Sequence, residues 1–146
     1  MSIIVTAALA KIHRAVVTAA ELDYVGSITI DSDLLAACGM QQYQQVHINS
    51  VTNGKHWETY ILAGPAGLGD VCLNGPPAHF FKKGDIVIIV AYGQMTPDEL
   101  KKHAPIVLFV DSANKITSVK KHTDVPLGVQ KHTDIPFHAG DLGAFG

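Results

Sequence analysis

A mainly β fold, closed or sandwiched, with two short helices and an extended C-terminal tail is what three features of the sequence predict. Short apolar or alternating runs recur between turn signals, an Asn-Gly dipeptide separates two of them, and the helical signals are brief. The runs span residues 27–30, 45–51, 57–63, 71–73, 86–92 and 106–111. Asp31 can cap a helix that continues through Ala37 and stops at Gly39. Asn53-Gly54 lies between the second and third runs, where both residues can take positive φ, and this predicts a tight hairpin turn. Thr96-Pro97-Asp98-Glu99 reads as an N-cap, a proline at the first helical position and an acidic first turn, which predicts the second helix.

From Ala113 the apolar pattern weakens. A near-repeat follows, Val119-Lys-Lys-His-Thr-Asp-Val-Pro126 and then Val129-Gln-Lys-His-Thr-Asp-Ile-Pro136. Proline after an extended hexapeptide favours extended backbone, and two copies are too few to stack into a repeat architecture. The expected division is therefore a barrel over 1–112 and a tail over 113–146.

At 146 residues the chain fits one domain, long enough to remove roughly 70% of its unfolded surface from water. The composition is 47% hydrophobic and 16% charged with net charge −2, which leaves no basic face for a nucleic-acid backbone. The longest apolar run, 86–92, is far short of the ~20 residues of a membrane span, and no cationic segment with an apolar stretch opens the chain. A cytoplasmic protein with neither nucleic-acid nor membrane partners is expected. Cys38 and Cys72 have no metal spacing and read as buried free thiols. His47, His79, His103, His122, His132 and His138 include no close ligand pair on one strand or helix turn, so no metal is assigned.

Taken singly, Lys11-Ile-His-Arg14 is a charged cluster, Tyr24-Val-Gly-Ser27 a turn before a strand, and Asn74-Gly75-Pro76-Pro77 a loop. Together with Glu21-Leu-Asp-Tyr-Val-Gly-Ser-Ile-Thr-Ile-Asp31, Thr52-Asn-Gly-Lys55, Glu58-Thr-Tyr60, Leu73-Asn-Gly-Pro-Pro-Ala-His79 and Gly84-Asp-Ile-Val-Ile-Ile89, their order and spacing resemble the pyruvoyl-dependent aspartate decarboxylase family over nearly all of residues 1–112. The resemblance implies a double-psi β-barrel and a homotetramer with sites between subunits. It also implies a chain that cuts itself between Gly26 and Ser27 into fragments 1–26 and 27–146.

The cut has a physical rationale. A serine hydroxyl against the preceding carbonyl can move the acyl group from nitrogen to oxygen if the backbone is held in a strained turn that glycine enters cheaply. Elimination and hydrolysis then leave a pyruvoyl group derived from Ser27, with no pyridoxal phosphate and no metal. Such a group condenses with the substrate amine and accepts the electrons freed as CO₂ leaves. By resemblance Tyr60 donates a proton to the decarboxylated carbon, Thr59 assists ester formation, and Asn74 orients groups around the pyruvoyl carbonyl. Adjacent strand residues face opposite sides, so Thr59 or Tyr60 must reach the site through a bend or from another subunit. Gly75 permits close backbone approach in the substrate loop. Pro76 and Pro77 have no N–H, which leaves Asn74, Gly75 or Ala78 for any oxyanion contact. Lys11 would hold a substrate carboxylate; His13, two residues on, would share its strand face as an orienting or a structural histidine.

One position departs from the pattern. The family has Asn-Gly-x-Arg, and here His56 stands at the arginine. Arginine is always charged and grips a carboxylate with two parallel bonds, whereas histidine titrates near pH 6.5 and offers one. Three readings follow: a weaker decarboxylase of L-aspartate yielding β-alanine for pantothenate and coenzyme A supply, a relative acting on another amino acid, or an unprocessed binding module.

Overall fold

Nine strands, two α-helices and one 3-10 turn make up residues 3–121, the part of the chain described by this computed structural model. The strands are β1 Val5–Val16, β2 Ala19–Glu21, β3 Ser27–Asp31, β4 Gln45–Ser50, β5 His56–Gly64, β6 Val71–Asn74, β7 Ile86–Met95, β8 Ile106–Val110 and β9 Ile116–Lys121. Helix α1 is Ser32–Cys38, α2 is Pro97–Lys102, and the 3-10 turn is Pro76–His79. The architecture is mainly β with two short helices, as the run pattern predicts.

The strand order is β2-β6-β3-β5-β4-β7-β1-β8-β9. β2 opens that order and β1 is its seventh member, yet only Val17 and Thr18 separate them in the chain, so the sheet curls back on itself. Both linking residues bridge the seam: the Val17 N–H donates to Asp85 O at 2.8 Å and the Thr18 N–H to Val71 O at 2.8 Å. Inside the curl, Ile12, Ile28, Ile30, Ile48, Ile61, Leu73, Ile89 and Leu108 are buried in one cluster.

Both helices end as their sequences dictate. Asp31 caps α1 by accepting from the Asp33 N–H, and Gly39 closes it in the left-handed conformation at φ 76°. Thr96 and Glu99 form a reciprocal capping box at α2, with Pro97 in the first turn. The Asn-Gly turn joins β4 to antiparallel β5, but only Gly54 takes positive φ, at 75°. The Asn53 side chain instead accepts from the Lys55 N–H at 2.9 Å and donates to Phe80 O at 3.1 Å.

Three strands lie outside the predicted runs. β1 has bulges between Ala8 and Ala10 and between Ile12 and Ala15 and is paired on both sides, to β7 and β8, so its burial does not alternate cleanly. β2 has three residues and four of the six residues of β9 are polar, since both lie at an end of the strand order. The ordered sheet therefore runs on past residue 112. Of the near-repeat, Val119–Lys121 belong to β9, and the rest lies outside the described residues.

Candidate active site

The start of β3 and the end of β6 pair antiparallel, with Ser27 opposite Asn74 and Thr29 opposite Cys72. Ser27 is 1% exposed and has φ 110°, a conformation that costs a residue with a side chain on the order of 1–3 kcal/mol. The sequence assigns the strained turn to glycine, but the positive φ falls on the serine itself. Gly75 supplies the constraint from across the pair. A Cβ there would stand 3.0 Å from Gly26 Cα, 3.1 Å from Gly26 N and 3.0 Å from Tyr24 O. Gly75 also has φ 80° and donates its N–H to Glu21 O at 2.8 Å. Only glycine lets these two backbones meet, and their contact backs the peptide that precedes Ser27.

The Asn74 amide organises the polar side of this junction. Its Nδ2 donates to Ser27 Oγ at 3.3 Å and to Thr29 Oγ1 at 3.0 Å, and its Oδ1 accepts from the Cys72 thiol at 3.2 Å. Burial, and then the charges of Glu21 and Asp70, push the Cys72 thiol up from its ordinary pKa. The thiol is therefore a proton donor at neutral pH, and that donor fixes which end of the amide faces Ser27. Cys72 and Cys38 are both free; Cys38 is buried, but Cys72 is half-buried rather than part of the core. Neither Thr29 nor Cys72 stands out in the sequence as a site residue. They join it because each is two positions along a strand from Ser27 or Asn74, and so on the same face.

The loop after Asn74 narrows the choice of oxyanion donor. Gly75 caps the 3-10 turn, Pro77 is buried, Pro76 is exposed, and the Ala78 N–H donates to Gly75 O at 3.0 Å. With the Gly75 and Ala78 N–H groups both engaged, the Asn74 side chain is the donor aimed at Ser27.

The other sequence-predicted residues lie further round the sheet. β5 runs parallel to β3 with Ile61 beside Ile28, so Thr59 and Tyr60 approach the level of Ser27. Thr59 is half-buried and Tyr60 is 41% exposed, on opposite faces of β5. Lys11 is half-buried on β1, with β5, β4 and β7 between it and β3 in the strand order. Burial lowers its pKa from the ordinary lysine value. His13 packs edge-on against Phe109, ring centroids 5.5 Å apart, which is a core role.

His56 is engaged on both ring nitrogens. Nδ1 lies 2.7 Å from Asn49 Oδ1 and Nε2 lies 3.2 Å from Glu58 Oε2. His47 Nε2 stands 3.3 Å from the other oxygen of the same carboxylate. Spacing along the chain could not reveal this grouping, because it is made by the β4–β5 register, which sets His47 opposite Glu58 and Asn49 opposite His56. A surface cavity lined by Asn53, Lys55, Ala78, His79, Phe80 and Lys82 contains, of the residues singled out for chemistry, Ala78 alone, whose N–H is already engaged.

Among the described residues no helix is long and apolar enough to cross a membrane. Residues 3–117 match the family model described as aspartate decarboxylase. A protein of Ruminiclostridium cellulolyticum named aspartate 1-decarboxylase is 52% identical over 118 residues, 79% of this chain and 92% of that one. Proteins of the same name from Moorella thermoacetica and Corynebacterium efficiens are 50% and 45% identical, over 76% and 80% of this chain and 87% and 86% of their own.

Proposed function

Because the chain belongs to the aspartate decarboxylase family, we propose that it cuts itself between Gly26 and Ser27 and, with Ser27 converted to a pyruvoyl group, decarboxylates L-aspartate to β-alanine and CO₂. In this reading it is a cytoplasmic enzyme whose product supplies pantothenate and coenzyme A. The observation that carries the reading is Ser27, a buried serine at φ 110° whose hydroxyl faces the Asn74 amide. The alternatives of another amino-acid substrate or a binding module have no counterpart among the named relatives.

Self-cleavage balances as follows. Ser27 Oγ attacks the Gly26 carbonyl carbon, the Gly26–Ser27 C–N bond breaks, and the Ser27 nitrogen takes the hydroxyl proton, which leaves an ester. Loss of the Ser27 α-proton and of the Gly26 carboxylate gives dehydroalanine, and water then replaces its nitrogen as ammonia to leave the ketone. Strain at Ser27 lowers the barrier to the first step because the ester releases that φ. Asn74 Nδ2 holds Oγ in place for the first step, before Oγ departs as an oxygen of the Gly26 carboxylate.

The residues around Ser27 fit the group: Gly75 lets the loop backbone approach closely where a Cβ would stand 3.0 Å from Gly26 Cα, and the Asn74 amide supplies a buried donor. When formed, the pyruvoyl group supplies an electron sink for decarboxylation. Lys11 faces the substrate's remaining carboxylate, and its partial burial makes an anion beside it more welcome than water alone. His56 already faces Glu58 and Asn49, so Lys11 carries that contact. Tyr60 returns the proton to carbon. A homotetramer with the site between subunits is supported by the exposure of Tyr60, Tyr24 and Val25 and by the strands that separate Lys11 from Ser27.

Denaturing electrophoresis with intact mass tests the first half, and product analysis after L-aspartate is added tests the second. The expected fragments have 26 and 120 residues, the latter being 146 less 26, and Ser27→Ala stays whole and inert. A wild-type chain that remains intact, or a processed one that yields no β-alanine, overturns the proposal.

A further inference from the structure

We propose that His47, His56 and Glu58 form a binding site for a divalent transition-metal ion of the zinc type. One ligand atom from each lies within 4.8 Å of the others. Two of the separations are 3.2 Å and 3.3 Å, from His56 Nε2 and His47 Nε2 to the two oxygens of Glu58. Metal–ligand bonds of about 2.0–2.1 Å in tetrahedral geometry set neighbouring ligand atoms about 3.3 Å apart, so each imidazole stands at ligand-to-ligand distance from its own oxygen of Glu58. The one-atom-per-residue spread of 4.8 Å closes to that geometry with a small side-chain shift. Each imidazole faces a different oxygen of the Glu58 carboxylate, so His47 and His56 would hold the ion together with that carboxylate.

The hydrogen bonding around His56 points the same way. With Asn49 Oδ1 2.7 Å from Nδ1 as the acceptor of that nitrogen's proton, Nε2 is the ring nitrogen presented to Glu58, 3.2 Å from Oε2. An imidazole nitrogen beside a carboxylate is matched either by a proton or by a metal cation held between them, and the second His–carboxylate contact from His47 makes this a ligand set as well as an ion pair. The side chain of Asn49 is thus the outer partner that a ligating histidine normally has. His47 is held in turn by ring contacts with Tyr92 at 4.7 Å and His56 at 5.2 Å between centroids.

The donor set selects the class of ion. Two imidazoles and one carboxylate suit zinc, copper or nickel, whereas magnesium and calcium require mainly oxygen ligands. The side chains are 29%, 45% and 51% exposed, which leaves the remaining coordination positions open to water. All three ligands lie on β4 and β5, within residues 27–146, so the site stays whole whether or not the chain is cut.

Equilibrium dialysis of the full-length chain against Zn²⁺, with metal quantified per chain, and Co²⁺ absorption spectra test this assignment. The wild type should bind the ion and give the visible spectrum of tetrahedral Co²⁺ with nitrogen and oxygen ligands. His47→Ala and His56→Arg should each weaken that binding by more than about 100-fold, and Asn49→Ala by about 10- to 100-fold, the usual effect of losing an outer partner. Circular dichroism checks that the variants are folded, which the exposure of these side chains favours. Ser27→Ala should bind as the wild type does, so the metal result is read independently of self-cleavage. His122, His132 and His138 are unchanged throughout, and uptake that persists undiminished in both His47→Ala and His56→Arg assigns the metal to other histidines and overturns the proposal.

Discussion

At the scale of single residues, the division of labour between Ser27 and Tyr60 is the part of the chemistry most open to test. Ser27 is buried and bonded to Asn74, whereas Tyr60 stands on the exposed face of β5 and makes no contact with that amide among the hydrogen bonds described. Cleavage should therefore depend on the first and turnover on the second. In Tyr60→Phe the ring remains but the acid is gone, so processing should go to completion while kcat for aspartate falls by roughly 10²-fold or more. Single-turnover assays on fully cleaved protein measure this, and near-normal turnover would move the proton donor elsewhere. The strained φ was not legible from the sequence, where Gly26 is the residue suited to a turn. It arises because Gly75, forty-nine positions away, backs the Gly26 peptide and leaves the serine to absorb the twist.

At the scale of elements, Asp31 joins β3 to α1 and also ties down the loop that leads into β6. It is buried and accepts N–H bonds from Asp33 at 2.8 Å, Gly67 at 3.1 Å and Gly69 at 2.7 Å. Burial by itself would raise its pKa, but the three N–H bonds, helped by Lys115, outweigh that and hold the carboxyl below its ordinary value. A depressed carboxyl pKa stabilises the fold above the unfolded-state value, and that contribution is lost as pH falls through the folded one. Asp31→Asn should cost about 1–3 kcal/mol at neutral pH and flatten the loss of stability on the acid side. Urea melts at several pH values measure it; an unchanged acid profile would show that the bonds do not favour the ionised form. The cap was readable from Asp31 and Gly39, because capping is local. The bonds to Gly67 and Gly69 were not.

For the whole molecule, the seam of the barrel rests on a residue beyond the recognisable runs. Asn114, 2% exposed at φ 60°, accepts from the Val16 N–H and donates to Val16 O and Gly69 O, each at 2.8 Å. It stands in for a missing strand partner at the end of β1. Asn114→Ala would orphan these buried backbone groups and should destabilise the chain by about 2–4 kcal/mol, read as a lower midpoint in urea with an unchanged slope. The proposed tetramer belongs to this scale too. Light scattering on the purified protein should give about 62 kDa, four chains of 15.6 kDa, as expected of a closed symmetric assembly. A 15.6 kDa monomer with full activity would rule out sites shared between subunits.

What the sequence by itself determined is whatever depends on neighbours along the chain: the β class, both helices with their caps, the β4–β5 hairpin and the Gly-Ser step inside its motif. Those signals are local because period, capping and turn chemistry act over a few residues. Tertiary structure alone decided that Ser27 rather than Gly26 bears the positive φ, that Cys72 and Thr29 surround Asn74, that Asn114 closes the seam, and that His47, His56 and Glu58 meet. The Ser27, Asn74 and His47 groupings depend on strand register, where a shift of one residue would turn those side chains to the opposite face, and Asn114 reaches β1 from a turn 98 positions along the chain.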